Sequence, residues 1–321
     1  MKRILNVRRE EFSLKEPFKI AHGTKIVSEV IYVELIEGNY KGVAESVPYA
    51  RYGESCNSVI EQIEGVRTVI EQGITRFELQ DILAHGAARN ALDCALWDLA
   101  AQQQQKPLWE IAQLPNPRTL KTAYTLVINK PDLMARQAAN LGKKYPILKL
   151  KLAGDKYDEQ RIIKVRQAAK HAMLILDANE AITAGNFAAL LDICVAQNIA
   201  MVEQPFKVGQ DDILLKNNAK ITICADESCH IAADLEGLRG KYNMINIKLD
   251  KAGGLTEAIK LYQQARALNF KIMVGCMVGS SLSLLPAYYL AAAADLVDLD
   301  AALLLKKDRG LLKYIGNELF I

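Results

Sequence analysis

Eight short β-rich runs, each followed by a stretch with helical periodicity, fill most of the chain after residue 118. Strands that alternate with helices in this way indicate repeated βα units and a parallel sheet. Eight consecutive units predict a closed (β/α)8-type barrel. The runs are Thr122–Ile128, Ile147–Leu152, Met173–Asp177, Ala200–Gln204, Ile221–Asp226, Met244–Lys248, Ile272–Cys276 and Leu296–Asp298. An open doubly wound sheet is the alternative, but no G-x-G-x-x-G motif follows the first run.

The chain before residue 118 has a different pattern. It predicts a β meander over Val30–Leu35 and from Val43, and helices over Ser58–Gln72 and Gly86–Gln103. Pro115 and Pro117 then interrupt the chain as a linker does. We therefore expect an α+β domain over residues 1–117, the barrel over 118–300, and a C-terminal segment over 301–321.

Composition excludes several classes of protein. The net charge of +3 over 321 residues is small, and no basic run mixes with aromatic residues as in nucleic-acid binders. The longest apolar run, Leu284–Ala294, contains Pro286 and is too short to span a bilayer, and the N-terminus has no apolar export signal. Six cysteines without a C-x-x-C pair suggest neither a zinc site nor a disulfide framework. We expect a cytoplasmic protein with no membrane or nucleic-acid partner.

Charged residues close most of the predicted strands. They are Lys151, Asp177, Glu203, Asp226, Lys248 and Asp298. Successive members are one βα unit apart, except that two units precede the last. Active sites of (β/α) barrels form where the strands end, so this regular spacing predicts one site.

Three of these residues, Asp177, Glu203 and Asp226, come from neighbouring strands. Carboxylates buried together repel one another unless a cation neutralises them. All-oxygen donors favour a hard ion, and three ligands that leave room for water and substrate suit Mg²⁺, one per subunit. A single acid at such a position is usually only a helix N-cap. Three in register favour the metal site.

Two lysines are placed to move protons. A period of two along Ile147–Leu152 puts Lys149 and Lys151 on one side and the leucines on the other. Barrel strands have no solvated face, so these ammonium groups should point inward. Lys248 lies four strands further round the barrel and could face Lys151. Burial and neighbouring positive charge both favour the neutral amine, which a general base needs. Opposed bases predict 1,1-proton transfer through an enediolate that a metal stabilises.

These residues, read in order, resemble the enolase superfamily, and more closely its muconate lactonising branch, which uses Lys-x-Lys on one strand and a single Lys opposite. The mandelate racemase branch has a His where this chain has Ile272–Met277. Three longer segments are similar to the bacterial L-Ala-D/L-Glu epimerases: Gly86–Asp93, Ile223–His230 and Lys248–Glu257. The resemblance implies a modified, TIM-type (β/α)7β barrel with an N-terminal α+β capping domain, to which the last segment returns.

The resemblance also implies roles for individual residues. Lys151 and Lys248 would be the acid/base catalysts, and Asp177, Glu203 and Asp226 the Mg²⁺ ligands. The remaining implied contacts are to substrate: Lys149 to its carboxylate, Asp298 and Asp300 to its α-ammonium, and Lys25, Tyr52, Cys276 and Met277 around the rest. Lys25 stands where these epimerases commonly have an Arg for the glutamate side chain, with His22 nearby, and Arg51 is another candidate partner.

The implied reaction is Mg²⁺-dependent epimerisation of L-Ala-D/L-Glu at its C-terminal residue, as part of murein peptide metabolism in the cytoplasm. An epimerase of another dipeptide, a cycloisomerase, an o-succinylbenzoate synthase and a barrel that only binds carboxylates are the alternatives. The pair Asp298 and Asp300 favours a dipeptide, because the cycloisomerase and synthase substrates carry no ammonium group. The sequence leaves open a homo-oligomer and which lysine serves which face.

Overall fold

The structure is a computed structural model that describes residues 3–21, 23–216 and 221–321. Its strands are β1 Arg3–Ile20, β2 Gly23–Glu37, β3 Tyr40–Ser46, β4 Leu120–Lys121, β5 Tyr124–Leu126, β6 Ile147–Lys151, β7 Met173–Asp177, β8 Met201–Glu203, β9 Thr222–Ala225, β10 Met244–Ile247, β11 Lys271–Gly275, β12 Leu296–Asp298, β13 Lys313–Ile315 and β14 Glu318–Phe320. Its α-helices are α1 Cys56–Gly65, α2 Arg67–Glu71, α3 Arg76–Ile82, α4 Ala87–Gln104, α5 Leu108–Ile111, α6 Pro131–Leu141, α7 Asp158–Ala168, α8 Ala184–Ala196, α9 Leu235–Leu238, α10 Leu249–Ala252, α11 Leu255–Ala267, α12 Ser281–Ala291 and α13 Ala301–Leu304. Short 3₁₀ helices cover Ala50–Tyr52, Asp212–Lys216 and Ala232–Asp234.

The N-terminal domain is an antiparallel sheet of β1, β2 and β3 with helices packed against it. Helix α4 lies so close to β3 that a Cβ atom on Gly42 would be 2.2 Å from the Ala95 carbonyl oxygen. The same helix is buried on several faces, because it is enclosed between this sheet and the barrel. That double burial explains why α4 is rich in alanine: small side chains allow close approach on two sides.

The barrel contains eight parallel strands, β5 to β12, arranged in chain order. A parallel bridge between Thr122 and Val297 joins its two ends, and the Ala123 amide donates to the Val297 carbonyl at 2.9 Å. All eight predicted strands and the predicted fold class are therefore confirmed, with strand bounds that differ by at most a few residues.

Period-two alternation builds two layers inside the barrel. The lower layer is apolar and takes one residue from each strand or strand entry: Ala123, Ile147, Ile175, Met201, Cys224, Met244, Met273 and Leu296. Two residues further along, the same strands present Thr125, Lys149, Asp177, Glu203, Asp226, Asn246, Gly275 and Asp298. An apolar plug therefore supports a polar layer at the end where the active site of such a barrel forms.

The hairpin of β1 and β2 extends from the cap over the polar end of the barrel. Leu14 forms a bridge with Leu305, the Ile128 amide donates to the Lys19 carbonyl at 3.2 Å, and Lys15 Nζ donates to the Leu303 carbonyl at 2.8 Å. These contacts fix one wall of a cavity above the polar layer.

Three details of the sequence analysis change. Strand β1 is absent from the predicted meander, because its many exposed charges hide the alternation of a strand with one face in water. Val66 divides the helix predicted over Ser58–Gln72 into α1 and α2. The C-terminal segment is predicted to return to the cap, but its strand β14 pairs with β4 and β13 pairs with β14, whereas Arg309 contacts Glu10 and Glu45 of the first domain. The three domain bounds stay a prediction. No helix in the described ranges has the length and hydropathy needed to cross a membrane.

Candidate active site

A cavity of about 510 Å³ lies between the cap and the polar end of the barrel. The cap contributes Phe18, Ile20, Lys25, Val47, Tyr49, Arg51 and Tyr52, and the barrel contributes Lys149, Lys151, Asp226, Lys248, Cys276, Met277, Asp298 and Asp300, among others. Every residue predicted to bind substrate or move protons therefore lines this one cavity. His22 lies outside the described residues.

The three predicted metal ligands converge in the floor. Strand register places Lys151 beside Asp177 and Asp177 beside Glu203, while Asp226 directly follows β9. Asp226 lines the cavity, and Asp177 and Glu203 lie beneath it with no exposed surface. The parallel arrangement explains the convergence, because adjacent parallel strands end at the same edge.

Lys149 contacts three carboxylates in the floor of the cavity. Its Nζ lies 3.0 Å from Asp177 Oδ2, 2.7 Å from Glu203 Oε2 and 2.6 Å from Asp298 Oδ2. Burial alone would lower the pKa of this lysine, but the three carboxylates outweigh it and raise the pKa well above its usual value. Lys149 is therefore a fixed positive charge at the centre of the polar layer.

Lys151 and Lys248 occupy opposite sides of the cavity, four strands apart in the eight-stranded barrel. Lys151 Nζ lies 2.5 Å from Asp177 Oδ2 and 3.1 Å from Asn179 Oδ1. Lys248 Nζ lies 2.5 Å from Asp226 Oδ2. Each catalytic candidate thus contacts a different metal-ligand candidate.

The prediction of a neutral amine is wrong for Lys248 in this structure. Burial would lower the pKa of Lys248, but Asp226 and then Glu203 raise it well above the usual value. The sequence analysis counted burial and nearby lysines and omitted the adjacent carboxylate. A cation bound by Asp226 would compete for that carboxylate and weaken its hold on the ammonium group.

The charges of the cluster fit a divalent cation. It contains four buried lysines and six buried acids: Lys149, Lys151, Lys248, Lys251, Asp177, Glu203, Asp226, Glu227, Asp298 and Asp300. Complete ionisation would leave two negative charges in surplus. Glu203 Oε2 makes no hydrogen bond among the described residues, although Lys149 lies nearby. Oxygen-only donors with this charge suit Mg²⁺.

Protonation of some of these acids offsets the same surplus of negative charge. Burial, reinforced by Asp177, raises the pKa of Glu203 to about 7, and burial, reinforced by Asp226, raises the pKa of Glu227 to about 8. Burial would also raise the pKa of Asp177 and of Asp226, but neighbouring lysines outweigh it and hold both below the usual range. A bound cation would replace the retained protons.

The carboxylates are not yet arranged around a common point. Within the described ranges, no three His, Cys, Asp or Glu side chains form a ready metal cluster. Lys149 and Lys151 lie between Asp177 and its neighbours, so ammonium groups occupy the space among the carboxylate oxygens. Cation binding therefore requires these side chains to shift.

The two carboxylates of the acidic pair near β12 have different partners. Asp300 Oδ2 accepts from the Thr125 amide at 2.7 Å, and Asp298 Oδ2 accepts from Lys149. Asp298 Oδ1 is buried and has no hydrogen-bond partner among the described residues. Burial, reinforced by Asp298, raises the pKa of Asp300 to about 6. The pair therefore offers a buried oxygen and negative charge to a cation.

The cap side of the cavity is more open. Lys25 is exposed at the rim, with Nζ 5.2 Å from the centre of the Tyr49 ring. Tyr52 packs edge-on against His230, their ring centres 4.5 Å apart. Arg51 forms a two-pronged ion pair with Glu180, both contacts at 2.9 Å. Arg51 therefore pairs with the barrel while its side chain stays exposed to solvent.

Four polar residues of the site were missed as site residues by the sequence analysis. Lys251 donates to the Asp226 carboxylate at 2.6 Å, Asn246 Nδ2 donates to Glu203 Oε1 at 2.7 Å, and Asn179 contacts both Lys151 and Glu227. Asn246 shares the period of two with Lys248, and Lys251 follows that lysine by one helical turn, so both had a signal in the sequence. Asn179 and Glu227 lie in loops, where no period applies.

A capping domain over an eight-stranded barrel, with buried carboxylates and opposed lysines at the strand ends, defines an enolase-type barrel. Residues 133–309 match the family model described as enolase C-terminal domain-like. Residues 2–112 match the N-terminal domain of mandelate racemase and muconate lactonizing enzyme. The chain belongs to this mandelate racemase and muconate lactonizing enzyme family.

Two relatives cover nearly the whole chain. An L-Ala-D/L-Glu epimerase from Escherichia coli (strain K12) is 46% identical over 302 residues, which are 93% of each protein. An N-acetyl-D-glutamate racemase from a Pseudoalteromonas species is 42% identical over 285 residues, 87% of this chain and 89% of that protein. Both relatives are named for a change of configuration in a glutamate derivative.

Solved structures agree with this placement. An enolase family member from Agrobacterium tumefaciens with homology to dipeptide epimerases, with bound sodium and L-Ala-L-Glu, has a TM-score of 0.97 and 42% identity, over 99% of this chain and 97% of that one. A dipeptide epimerase from Enterococcus faecalis, complexed with Mg and L-Leu-L-Tyr, has a TM-score of 0.89 and 30% identity, over all of both chains.

Proposed function

We propose that this protein is a Mg²⁺-dependent dipeptide epimerase that inverts the α-carbon of the C-terminal residue of L-Ala-D/L-Glu. The observation that carries the proposal is the placement of Lys151 and Lys248 on opposite sides of one cavity, above three buried carboxylates. A single base can exchange an α-proton, but inversion needs a proton donor on the other face.

The two lysines perform complementary steps. The neutral amine of one takes the α-proton, and the electron pair of the broken C–H bond moves into the substrate carboxylate. The ammonium group of the other lysine then donates its proton to the opposite face of the same carbon, and the electron pair returns to form the new C–H bond. The reverse reaction exchanges their roles, so both epimers are substrates.

Asp177, Glu203 and Asp226 would hold the metal. Bound Mg²⁺ supplies positive charge that stabilises the negative charge gathering on the substrate carboxylate. Lys149 contributes a second positive charge, because the nearby carboxylates of the floor hold its pKa well above the usual value. Asn246 orients Glu203, and Lys251 orients Asp226, through the hydrogen bonds described above.

The two ends of the dipeptide are assigned to opposite walls. Asp298 and Asp300 would receive the α-ammonium, since Asp298 Oδ1 is buried and without a partner among the described residues. Lys25 would pair with the glutamate side chain from the cap rim, while Tyr52, Cys276 and Met277 form the wall around it. A lysine binds a carboxylate as a point charge, so other C-terminal residues should be tolerated better than with an arginine fork.

The second candidate is racemisation of an N-acylated glutamate that carries no ammonium group. The similarity to the N-acetyl-D-glutamate racemase favours it. The floor chemistry would be the same for both substrates, so the acidic pair near β12 distinguishes them. Lys149 supplies one positive charge to the two buried carboxylates and is shared with Asp177 and Glu203, so a cationic ligand would offset a remaining cost in free energy, which favours the dipeptide.

The setting of the reaction is part of the same proposal. All six cysteines are free thiols, which is the usual state in the reducing cytoplasm. We therefore place the reaction there, on dipeptides released from murein. Assembly into a homo-oligomer stays a prediction.

The test is proton exchange in D2O, followed by NMR. Protein with Mg²⁺ is incubated with L-Ala-L-Glu, L-Ala-D-Glu, L-Ala-L-Leu and both enantiomers of N-acetylglutamate. We expect the glutamate α-proton signal to disappear and the opposite epimer to appear, with chelator stopping both changes and added Mg²⁺ restoring them. Faster turnover of N-acetylglutamate would select the second candidate. Exchange with none of these substrates would overturn the proposal.

A further inference from the structure

The two catalytic lysines are held by different parts of the molecule. Lys151 is the last residue of β6, with β5 and β7 paired on either side. No hydrogen bond among the described residues joins β6 to the capping domain. Lys248 instead lies just beyond β10, at the N-cap of the short helix α10, where the sheet no longer constrains it.

Helix α10 fixes the backbone of Lys248. The amides of Lys251 and Ala252 both donate to the Lys248 carbonyl, at 3.1 Å and 3.0 Å. A helix of one turn has little stability of its own, so its position depends on what surrounds it. The orientation of Lys248 therefore follows from whatever holds α10.

The capping domain holds α10 through Asp250. One oxygen of this buried carboxyl, Oδ1, accepts from Asn90 Nδ2 at 2.7 Å and from the Val47 amide at 2.9 Å. Asn90 belongs to α4 and is 1% exposed, while Val47 follows β3 and lines the cavity. A single side chain thus connects the catalytic helix to two separate segments of the cap.

Arg89 supplies a second connection. Its guanidinium donates to the carbonyls of Ala252 and Gly253, at 2.8 Å and 3.1 Å, where α10 ends. Gly253 has a φ of +75°, and a Cβ atom there would lie 2.6 Å from Arg89 Nε. The segments Gly86–Asp93 and Lys248–Glu257 are therefore the two sides of one contact.

We propose that Asn90 of the cap and Asp250 of the barrel are positioning residues for Lys248, so that proton transfer on one face of the substrate depends on the capping domain. The other face is served by Lys151, which lies within the paired sheet, and the link from the cap toward it is indirect: Arg51 pairs with Glu180, the neighbour of Asn179. The inference rests on the proposed two-lysine reaction. It gives the cap a part in catalysis beyond the recognition of the substrate side chain.

The geometry makes the effect specific to one epimer. In D2O, the first proton removed from each epimer reports the lysine that faces it, so the two epimers report Lys151 and Lys248 separately. A shift of Lys248 slows removal from only one of them, and a misplacement of about 1 Å costs on the order of 100-fold. General destabilisation of the fold would slow both epimers together.

The experiment compares initial deuterium exchange from L-Ala-L-Glu and L-Ala-D-Glu, at saturating Mg²⁺. Lys248→Met first identifies the epimer that Lys248 serves. Asp250→Ala, which removes the two hydrogen bonds from the cap to Asp250, should slow exchange from that same epimer by ~10- to 100-fold relative to the other. Asp250→Asn keeps an oxygen at Oδ1 and should restore the ratio to within ~3-fold of the native protein. Asn90→Leu, on the cap side, should shift the ratio in the same direction as Asp250→Ala.

Thr256→Val is the matched control. It removes a hydrogen bond across the same domain contact, from Trp97 Nε1 to Thr256 Oγ1 at 2.9 Å, but in α11 rather than α10. We expect it to leave the ratio unchanged. If Asp250→Ala fails to fold, as judged by circular dichroism, Asn90→Leu decides the question. Equal slowing of both epimers, or an unchanged ratio in the cap variant, would overturn the inference. Full exchange of both epimers in Lys248→Met would instead overturn the two-lysine reaction itself.

Discussion

The floor and the cap wall of the cavity are constructed in different ways. In the floor, Lys149, Lys151, Asp177 and Glu203 project from paired strands and are almost completely buried. In the cap wall, Lys25 lies near the turn of a hairpin and is exposed. Side chains held by strands and by one another have less freedom to move than those on loops and hairpin ends. The difference indicates that the floor determines the reaction and the cap wall determines which C-terminal side chain is accepted.

Replacement of either lysine is the largest change that the comparison predicts. Lys151→Met and Lys248→Met should each lower epimerisation by at least ~10³-fold, because inversion needs both an acid and a base. Each variant should still exchange the α-proton of one epimer, and not of the other, in D2O. Both residues belong to the floor, so the loss should be the same for every C-terminal side chain. A loss that varied with the substrate would remove the distinction between floor and wall.

Loss of a metal ligand should come next in size. Asp226→Asn is expected to raise the Mg²⁺ concentration for half-maximal activity by ~10- to 100-fold, because the neutral amide of Asn is a weaker ligand than the carboxylate that it replaces. Saturating metal should also stabilise the native protein by about 2.7 kcal/mol at 100 times the dissociation constant, an increment reduced in the variant. Activity titrations and thermal unfolding measure both effects. Asp132→Asn, an exposed acid on α6, should change neither.

The same contrast explains what could be predicted from the sequence. Asp177, Glu203 and Lys248 lie at the ends of strands whose spacing repeats with each βα unit, so their convergence could be inferred from that repeat alone. Asn179 and Glu227 also belong to the floor, but they lie in loops with no repeat to reveal them. Strand β1 was missed because its many exposed charges hide the period of two that marks a strand with one face in water. The pairing of Arg51 with Glu180 depends on how the cap lies on the barrel, which no local pattern contains.

A substitution in the cap wall should affect one class of substrate only. Lys25→Met is expected to lower kcat/KM for L-Ala-L-Glu by ~10- to 100-fold, through loss of a charge-assisted contact. L-Ala-L-Leu, which has no side-chain carboxylate, should change by less than ~3-fold. Lys25→Arg should retain glutamate activity, because the fork can bind both oxygens.

The matched control for this substitution is Lys19→Met. Lys19 lies on the opposite strand of the same hairpin, pairs with Thr24 and does not line the cavity. It should leave both substrates unaffected. Equal losses of kcat/KM for the glutamate and leucine dipeptides in Lys25→Met would show that Lys25 acts on both substrates. Lys25 would then not be a contact to the glutamate side chain, and the distinction between floor and cap wall would fail for this residue.

The smallest expected effect is a pH dependence that belongs to the floor and not to the cap wall. Burial and Asp298 raise the pKa of Asp300 to about 6, so this carboxyl gains a proton as the pH falls through that value. A substrate ammonium favours the ionised form. The affinity for L-Ala-L-Glu should therefore be full above pH 7 and decline below pH 6, by at most ~10-fold per pH unit.

The competitive inhibition constant of N-acetyl-L-glutamate, which lacks the ammonium, should not show this decline. The ratio of the two constants cancels the titration of the lysines and of the metal ligands, which both compounds share. Asp300→Asn should make the ratio independent of pH, and a native ratio that is already flat between pH 5 and 8 would remove Asp300 from the ammonium site.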